Sequence, residues 1–261
     1  MSARLICLEI ADLRKTLLAS YSRMRESRSI FTTTNPIADL SPRKTARMAG
    51  FFYLIFVLTT VLASYIRGRF ILSGDAVATA NNIVSSQGLF RVGFVTELVS
   101  AVFFLLAAWA LYVLLKPVNK DLALLFLLLN LGGVGIECLN MLNLFTALQL
   151  LLDVGFINVF SAGQLQAQAL ICLNLYKNGF IIAQIFYGTW LLPLGYLVFK
   201  SSYLPRLLGI LLMFDFFGVL FWFFQFFLFP SYAVVSYPSY VVGFIAEVSL
   251  SLWLLMKSVK K

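Results

Sequence analysis

The chain has 261 residues, of which 61% are hydrophobic and only 12% charged, with a mean hydropathy of +0.92 and a formal net charge of +9. A soluble domain carries about 25% charged residues, so a water-soluble fold has nowhere to place this much apolar surface. The 20 basic residues lie in an N-terminal arm and beside apolar runs, which argues against nucleic acid and for a membrane, and the absence of histidine excludes the Ser-His triad, haem ligation by His and every His-containing zinc site.

Residues 1–41 read as an N-terminal cytoplasmic arm and residues 42–261 as the transmembrane domain. In the arm, Glu9, Asp12, Arg14 and Lys15 interrupt any continuous apolar stretch of a secretory signal. Ile6, Ile10, Leu13, Leu17 and Tyr21 fall at helical spacing, which predicts an amphipathic helix suited to a membrane surface, the alternative being a disordered tail. A linker rich in Thr, Asn and Pro follows at 32–42.

Six apolar runs, near 46–66, 91–115, 122–144, 178–199, 205–229 and 239–256, are each long enough to cross a hydrocarbon core of about 30 Å. The chain is therefore expected to be all-α, a polytopic bundle of six transmembrane helices. Assigning Lys and Arg to the segments between them puts 16 on one side and 4 on the other, so the positive-inside rule predicts both termini in the cytoplasm, in a plasma membrane. The inside loops, 116–121 and 200–204, are short and force antiparallel neighbours.

On the outer side, Asp75 is placed to cap a short helix over 76–86, with Gly88 as its stop and Val77, Ala80 and Val84 on one face. Residues 145–176 are too apolar for a structureless loop and predict helical extensions over the bundle. The fifth span carries Phe214, Phe216, Phe217, Phe221, Phe223, Phe224, Phe226, Phe227 and Phe229. These rings surround the helix, as lipid contact and packing require. Cys7, Cys138 and Cys172 have no metal-ligand spacing and read as free thiols. No GxGxxG, P-loop or HExxH is present, so no cofactor or metal is expected. Arg47-Met48-Ala49-Gly50 and Arg206-Leu207-Leu208-Gly209 echo each other at two span ends without establishing a repeat.

The informative residues are polar ones inside the spans. Glu97, Glu137, Asp215 and Glu247 are carboxylates in apolar helices, where an ionisable group normally faces the bundle interior or water and has a partner. Asn130, Gly133, Glu137 and Asn140 share one face of the third span; Asp215, Gly218, Trp222 and Gln225 one face of the fifth; Gly243, Glu247 and Ser251 one face of the sixth. Counting residues places Glu97, Glu137 and Glu247 about 8–12 Å below the outer surface, with Gln184 and Gln225 at similar depth and Asp215 nearer the midplane. The expectation is a shared, outward-facing polar cavity of Glu97, Glu137, Glu247, Asp215, Gln184, Gln225 and Asn140, its charge balanced partly by Arg91. Lys177, Arg67 and Arg69 lie near the same outer ends.

Arg43-Lys44-Thr45-Ala46-Arg47-Met48-Ala49-Gly50, Gly74-Asp75-Ala76 and Leu89-Phe90-Arg91 open this series of elements. They continue with Leu111-Tyr112-Val113-Leu114-Leu115-Lys116-Pro117-Val118-Asn119, Leu194-Gly195-Tyr196-Leu197, Leu204-Pro205-Arg206-Leu207-Leu208-Gly209, and Glu247 with Leu252-Trp253-Leu254-Leu255. Together, over about residues 42–257, they resemble the bacterial and archaeal multi-pass proteins grouped as domain of unknown function 4386. The resemblance implies a six-pass or similar membrane fold and no particular activity. A basic residue is common in that family near the position of Asn130, and this chain departs from the pattern there.

Two function classes stay open. One is a membrane protein that binds or transports a small-molecule, lipid or otherwise amphiphilic ligand through the polar cavity; the other is a structural or accessory membrane protein without transport or catalysis. An intramembrane enzyme is disfavoured, since no histidine or catalytic motif is present and nothing sets two carboxylates at a catalytic separation.

Overall fold

The computed structural model describes Ser20 and residues 41–72, 75–152 and 160–256. The chain divides into a unit Met1–Ser41 and a unit Pro42–Lys261. The amphipathic stripe expected over residues 6–21 lies outside the described residues, apart from Ser20.

The second unit is a helical bundle: α1 (Pro42–Gly68), α2 (Ala76–Ser85), α3 (Gln87–Leu115), α4 (Lys120–Leu151), α5 (Ala162–Lys200), α6 (Arg206–Leu228), a 3-10 turn (Pro230–Ser236) and α7 (Tyr237–Met256). Six of these, all but α2 and with the turn running into α7, are long and apolar enough to cross a membrane. They coincide with the six runs of the sequence, and this is an integral, multi-pass helical membrane protein. Every span packs against its neighbour in sequence, and α7 packs back on α1, so the six close into a ring.

Small residues make that closure tight, because helices in lipid associate by packing rather than by a hydrophobic effect between them. A Cβ built on Gly50 of α1 falls 2.8 Å from the Ser251 carbonyl oxygen of α7. Gly195 of α5 and Gly209 of α6 meet face to face, with a Cβ on Gly209 falling 2.6 Å from the Gly195 carbonyl oxygen. The two Arg-x-x-Gly echoes of the sequence thus supply crossing points at two different helix pairs. Outside the ring, Leu58, Leu139, Leu142, Phe214 and Phe217 are each at least 60% exposed, which is the lipid-facing surface that the phenylalanines of the fifth span lead one to expect.

Inside, the half nearer Pro42 and Met256, the proximal half, is plugged by aromatic rings. Phe56 stacks on Phe104 at 4.0 Å, and Trp190 stands edge-on to Phe104 at 5.0 Å and to Phe126 at 6.1 Å. At the proximal surface, Tyr203 in the α5–α6 loop donates to the Leu114 carbonyl at 2.6 Å. Burial pushes its phenol up to about 12, so it remains a donor throughout the physiological range.

The opposite, distal end is a cap. α5 has 39 residues, roughly 58 Å at 1.5 Å per residue, which is about twice the thickness of a hydrocarbon core. Its first turn is fixed by a capping box in which Ser161 and Gln164 bond each other's backbone. The helical extensions expected over 145–176 are present as the end of α4, up to Leu151, and the start of α5, from Ala162. α2 lies across α3, α4 and α5, and Asp75 caps it by accepting from the Ala78 amide at 2.8 Å. Two details differ from the sequence expectation. Gly88 lies inside α3 rather than ending α2, and α2 buries Thr79, Ala80 and Ile83 while Val77 and Val84 stay exposed. The Thr79 hydroxyl decides the rotation: it bonds both the amide and the carbonyl of Leu72, turning α2 by a tertiary contact that apolar spacing does not record.

Candidate functional site

Between the distal apolar cluster, which includes Ile66, Phe90, Leu144 and Leu173, and the aromatic proximal core runs a layer of polar side chains. Glu97 of α3 is buried. Arg67 of α1 donates to its Oε2 at 2.5 Å, and the Tyr176 hydroxyl of α5 donates to its Oε1. The same Arg67 Nη1 lies 2.6 Å from the Tyr176 oxygen, and its guanidinium rests over the rings of Tyr176 and Phe180 at 5.2 and 6.0 Å. Three helices are thereby joined through one carboxylate. Such charge-assisted bonds are about twice as strong as neutral ones.

Next to this triad, the Tyr187 hydroxyl donates to Glu137, and Glu137 feels both Glu97 and Arg67 electrostatically. Gly133, one turn before Glu137, makes room for the Tyr187 ring: a Cβ there falls 2.5 Å from Cε1. Asn140, further along the same face, donates to the Tyr176 carbonyl at 2.7 Å and accepts from Asn143 at 3.1 Å, with Gly179 of α5 packed against its side chain. The α4 stripe therefore faces α5, as its small and polar residues require.

Beside the layer opens a cleft of about 630 Å³ between the distal parts of α1, α5 and α6. Ser64, Arg67, Asn174 and Lys177 supply its polar wall, and Phe180 and Trp222 its aromatic one. The Trp222 ring is held by Phe180 at 6.1 Å and by Tyr240 at 4.8 Å, and the Lys177 ammonium sits 5.4 Å from the Phe226 ring. Glu97 reaches the cleft through Arg67 and Tyr176, both of which line it.

The model of the family described as Domain of unknown function (DUF4386) matches residues 48–258. The chain belongs to this family. No curated protein and no solved structure matches it, so the chemistry of this DUF4386 protein rests on its own side chains.

The remaining residues singled out in the sequence divide between places. Glu247 of α7 faces Asp215 of α6 and Tyr53 of α1, whereas Glu97 and Glu137 share the layer at α3 and α4. Gln225 serves the distal turn, accepting from the Ser236 hydroxyl at 2.9 Å and donating to the Phe229 carbonyl at 3.0 Å. Gln184 is buried and bonds back to Phe180 of its own helix at 3.5 Å. Arg91 is exposed at the start of α3; the cation that reaches Glu97 is Arg67. Asn130 is fully buried, with neither side-chain atom hydrogen-bonded. Arg67 is a cation that the sequence already places near the outer ends, whereas Tyr176 and Tyr187, set in apolar stretches, carry no local signal that distinguishes them. Their signal is register: in antiparallel α4 and α5, Tyr187 falls opposite Gly133. Of the three cysteines, Cys138 and Cys172 are free thiols in the described residues.

Proposed function

We propose that this membrane protein binds a small amphiphilic ligand with an anionic end in the distal cleft, and that the distal end faces outward, with both termini in the cytoplasm of a cell bounded by a plasma membrane. The observation that carries the binding proposal is the cleft's composition. Two cations, Arg67 and Lys177, and the amide of Asn174 line a volume of about 630 Å³ together with Phe180, Ile181 and Trp222. Ligand sites are typically clefts of about 300–1,000 Å³, mostly apolar with a few placed polar groups. A charged end meeting the guanidinium and ammonium would leave an apolar tail against the rings.

The full chain in lipid nanodiscs, titrated with dodecyl phosphate and followed by tryptophan fluorescence, tests this. Lys177→Ala is expected to weaken binding about tenfold, the equivalent of about 1.4 kcal/mol, and Trp222→Phe to reduce the fluorescence response. Equal affinity in wild type and Lys177→Ala, or equal affinity for a neutral dodecyl maltoside, would remove the cleft as an anion site. Orientation has its own test. A single cysteine at Ser202 should be labelled from the cytoplasm and one at Ser231 from outside, as the charge asymmetry requires; labelling of both from one side would sink the topology.

A structural or accessory role is the second reading, favoured by one observation: Glu97 and Glu137 are bonded within the protein, to Arg67, Tyr176 and Tyr187. Under that reading, substitutions in the layer change stability and leave ligand binding at zero throughout.

A further inference from the structure

A second polar site lies away from the cleft, where α7 closes the ring onto α1. Asp215 of α6 is 1% exposed, and its Oδ1 has no hydrogen-bond partner. That oxygen lies against the α7 backbone at Gly243, where a Cβ would come within 2.7 Å of it. Glu247 is one turn further along the same face of α7, and the two carboxyls interact electrostatically. Tyr53 of α1 is fully buried, and its hydroxyl faces both acids without closing a hydrogen bond of good geometry. Three helices therefore aim two carboxyls and a phenol at one place, and two of those groups carry buried oxygen atoms with no partner.

Among the described residues, no cation is paired with them. Along α1, Arg47 is six residues from Tyr53 and Arg67 is fourteen, about 9 and 21 Å along the axis, and Arg67 is committed to Glu97. On α6, Arg206 is nine residues from Asp215, about 13 Å away along the helix. α5, the other helix packed on α6, has no charged residue between Lys177 and Lys200; its Tyr187 serves Glu137, and Tyr196 is exposed. Within α7, Glu247 is the one charged residue, and the other titratable groups, Tyr237 and Tyr240, are at its distal start. Both titratable side chains of the distal turn and its flank, Tyr232 and Tyr237, are exposed.

Asp215 is buried and Glu247 half-buried on adjacent helices, so each acid penalises the charge of the other and a state with both ionised is disfavoured. A metal ion is a poor occupant. α6 and α7 run unbroken through Asp215, Gly243 and Glu247, so their carbonyls are spent in the helical ladder, whereas membrane cation sites use unwound backbone. No three of His, Cys, Asp and Glu gather as metal ligands among the described residues.

We propose that Asp215 and Glu247 hold one proton between them, with the Tyr53 hydroxyl as the second donor, and that the three form a proton-binding site near the middle of the membrane. The arrangement balances: two carboxyl groups supply four oxygens and one net negative charge, and the shared proton and the phenol supply two donors. Its position gives it a consequence. The Gly50–Ser251 crossing of α1 and α7 lies one turn further along α7 from Glu247, so loss of the proton sets two like charges across the α6–α7 contact, one turn from the crossing that closes the ring.

Infrared spectroscopy of the full chain in nanodiscs at neutral pH, compared in light and heavy water, tests this directly. The wild type should show a protonated-carboxyl stretch that both Asp215→Asn and Glu247→Gln remove or shift, because the proton belongs to both groups, and that Glu97→Gln leaves in place. A wild-type spectrum without such a band overturns the proposal. So does a band altered by only one of the two substitutions, or one abolished when sodium replaces choline at constant pH, which would assign the site to a cation. Should a neutral variant fail to assemble, Tyr53→Phe decides: the ring still packs, and the band moves to higher frequency on loss of the phenol's hydrogen bond, while an unmoved band overturns the three-part site.

Discussion

The distal layer and the α1–α6–α7 joint use the same ingredients, two carboxylic acids and tyrosine hydroxyls, and arrive at opposite electrostatic solutions. In the layer, Arg67 and Tyr176 donate to Glu97, and Tyr187 donates to Glu137. In the joint, Asp215 and Glu247 face Tyr53 and each other among the described residues, at a level where α1, α5, α6 and α7 offer no cation. The difference teaches that an intramembrane acid is defined less by its own helix than by whether a long cationic side chain on a neighbouring helix spans the gap. Arg67 does so because it sits at the distal end of α1, where its methylenes lie along apolar surface and its head reaches the polar layer; mid-span, the same side chain would carry a large desolvation cost.

The comparison breaks most visibly at Arg67. Arg67→Met leaves Glu97 and Tyr176 in place without a cation, and removing one partner of a buried pair typically costs about 3–5 kcal/mol. A large fall in the unfolding midpoint in micelles is expected, with much of it recovered in Arg67→Met combined with Glu97→Leu; a loss below about 1 kcal/mol would mean the layer does not lock the three helices.

At the joint, Gly243→Ala pushes a methyl into the Asp215 carboxyl, and overpacking of that kind costs about 1–3 kcal/mol. Pairing it with Asp215→Ala should restore the wild-type midpoint, since the atom in the way is gone; if the double variant is no better than the single, the contact is not what limits the approach of α6 and α7. A smaller effect is expected at Asn140→Ala, which removes one interhelical bond to the Tyr176 carbonyl. Such bonds average about 0.6 kcal/mol in membranes, with a maximum near 1.7, and a loss well above that would show that Asn140 also positions Tyr176 for Glu97.

The smallest effect sharpens the contrast. Asp215→Asn, which mimics a protonated acid in shape and neutrality, should change stability at neutral pH by less than about 1 kcal/mol, the value typical of a point substitution. Glu97→Gln should cost more, because hydrogen bonds to a charged group are worth about 1.5–3 kcal/mol. Equal costs at the two positions, measured by thermal unfolding in the same detergent, would erase the distinction between a paired carboxylate and a proton-sharing one.

Much of this was legible before any fold was known. Runs of some twenty apolar residues have only one stable form in hydrocarbon, a helix that satisfies its own backbone, so the six spans and the class follow from composition and length. Asp75 announced the start of α2, because a side-chain acceptor there meets an otherwise orphaned amide. The small and polar stripes of the third, fifth and sixth spans named inward faces for the same reason, and Asn130, Gly133, Asn140, Asp215, Gln225 and Ser251 are indeed buried. Each of these is a local or periodic property of one segment. What only the tertiary structure decided is pairing: Arg67 rather than Arg91 at Glu97, Tyr187 on Glu137 across Gly133, Glu247 beside Asp215 with Tyr53 completing the group, and Thr79 turning α2. These depend on which helix stands next to which and at what rotation, and the closure of α7 onto α1 joins segments about 200 residues apart through the fit of small residues, a property of two surfaces in contact that neither surface carries alone.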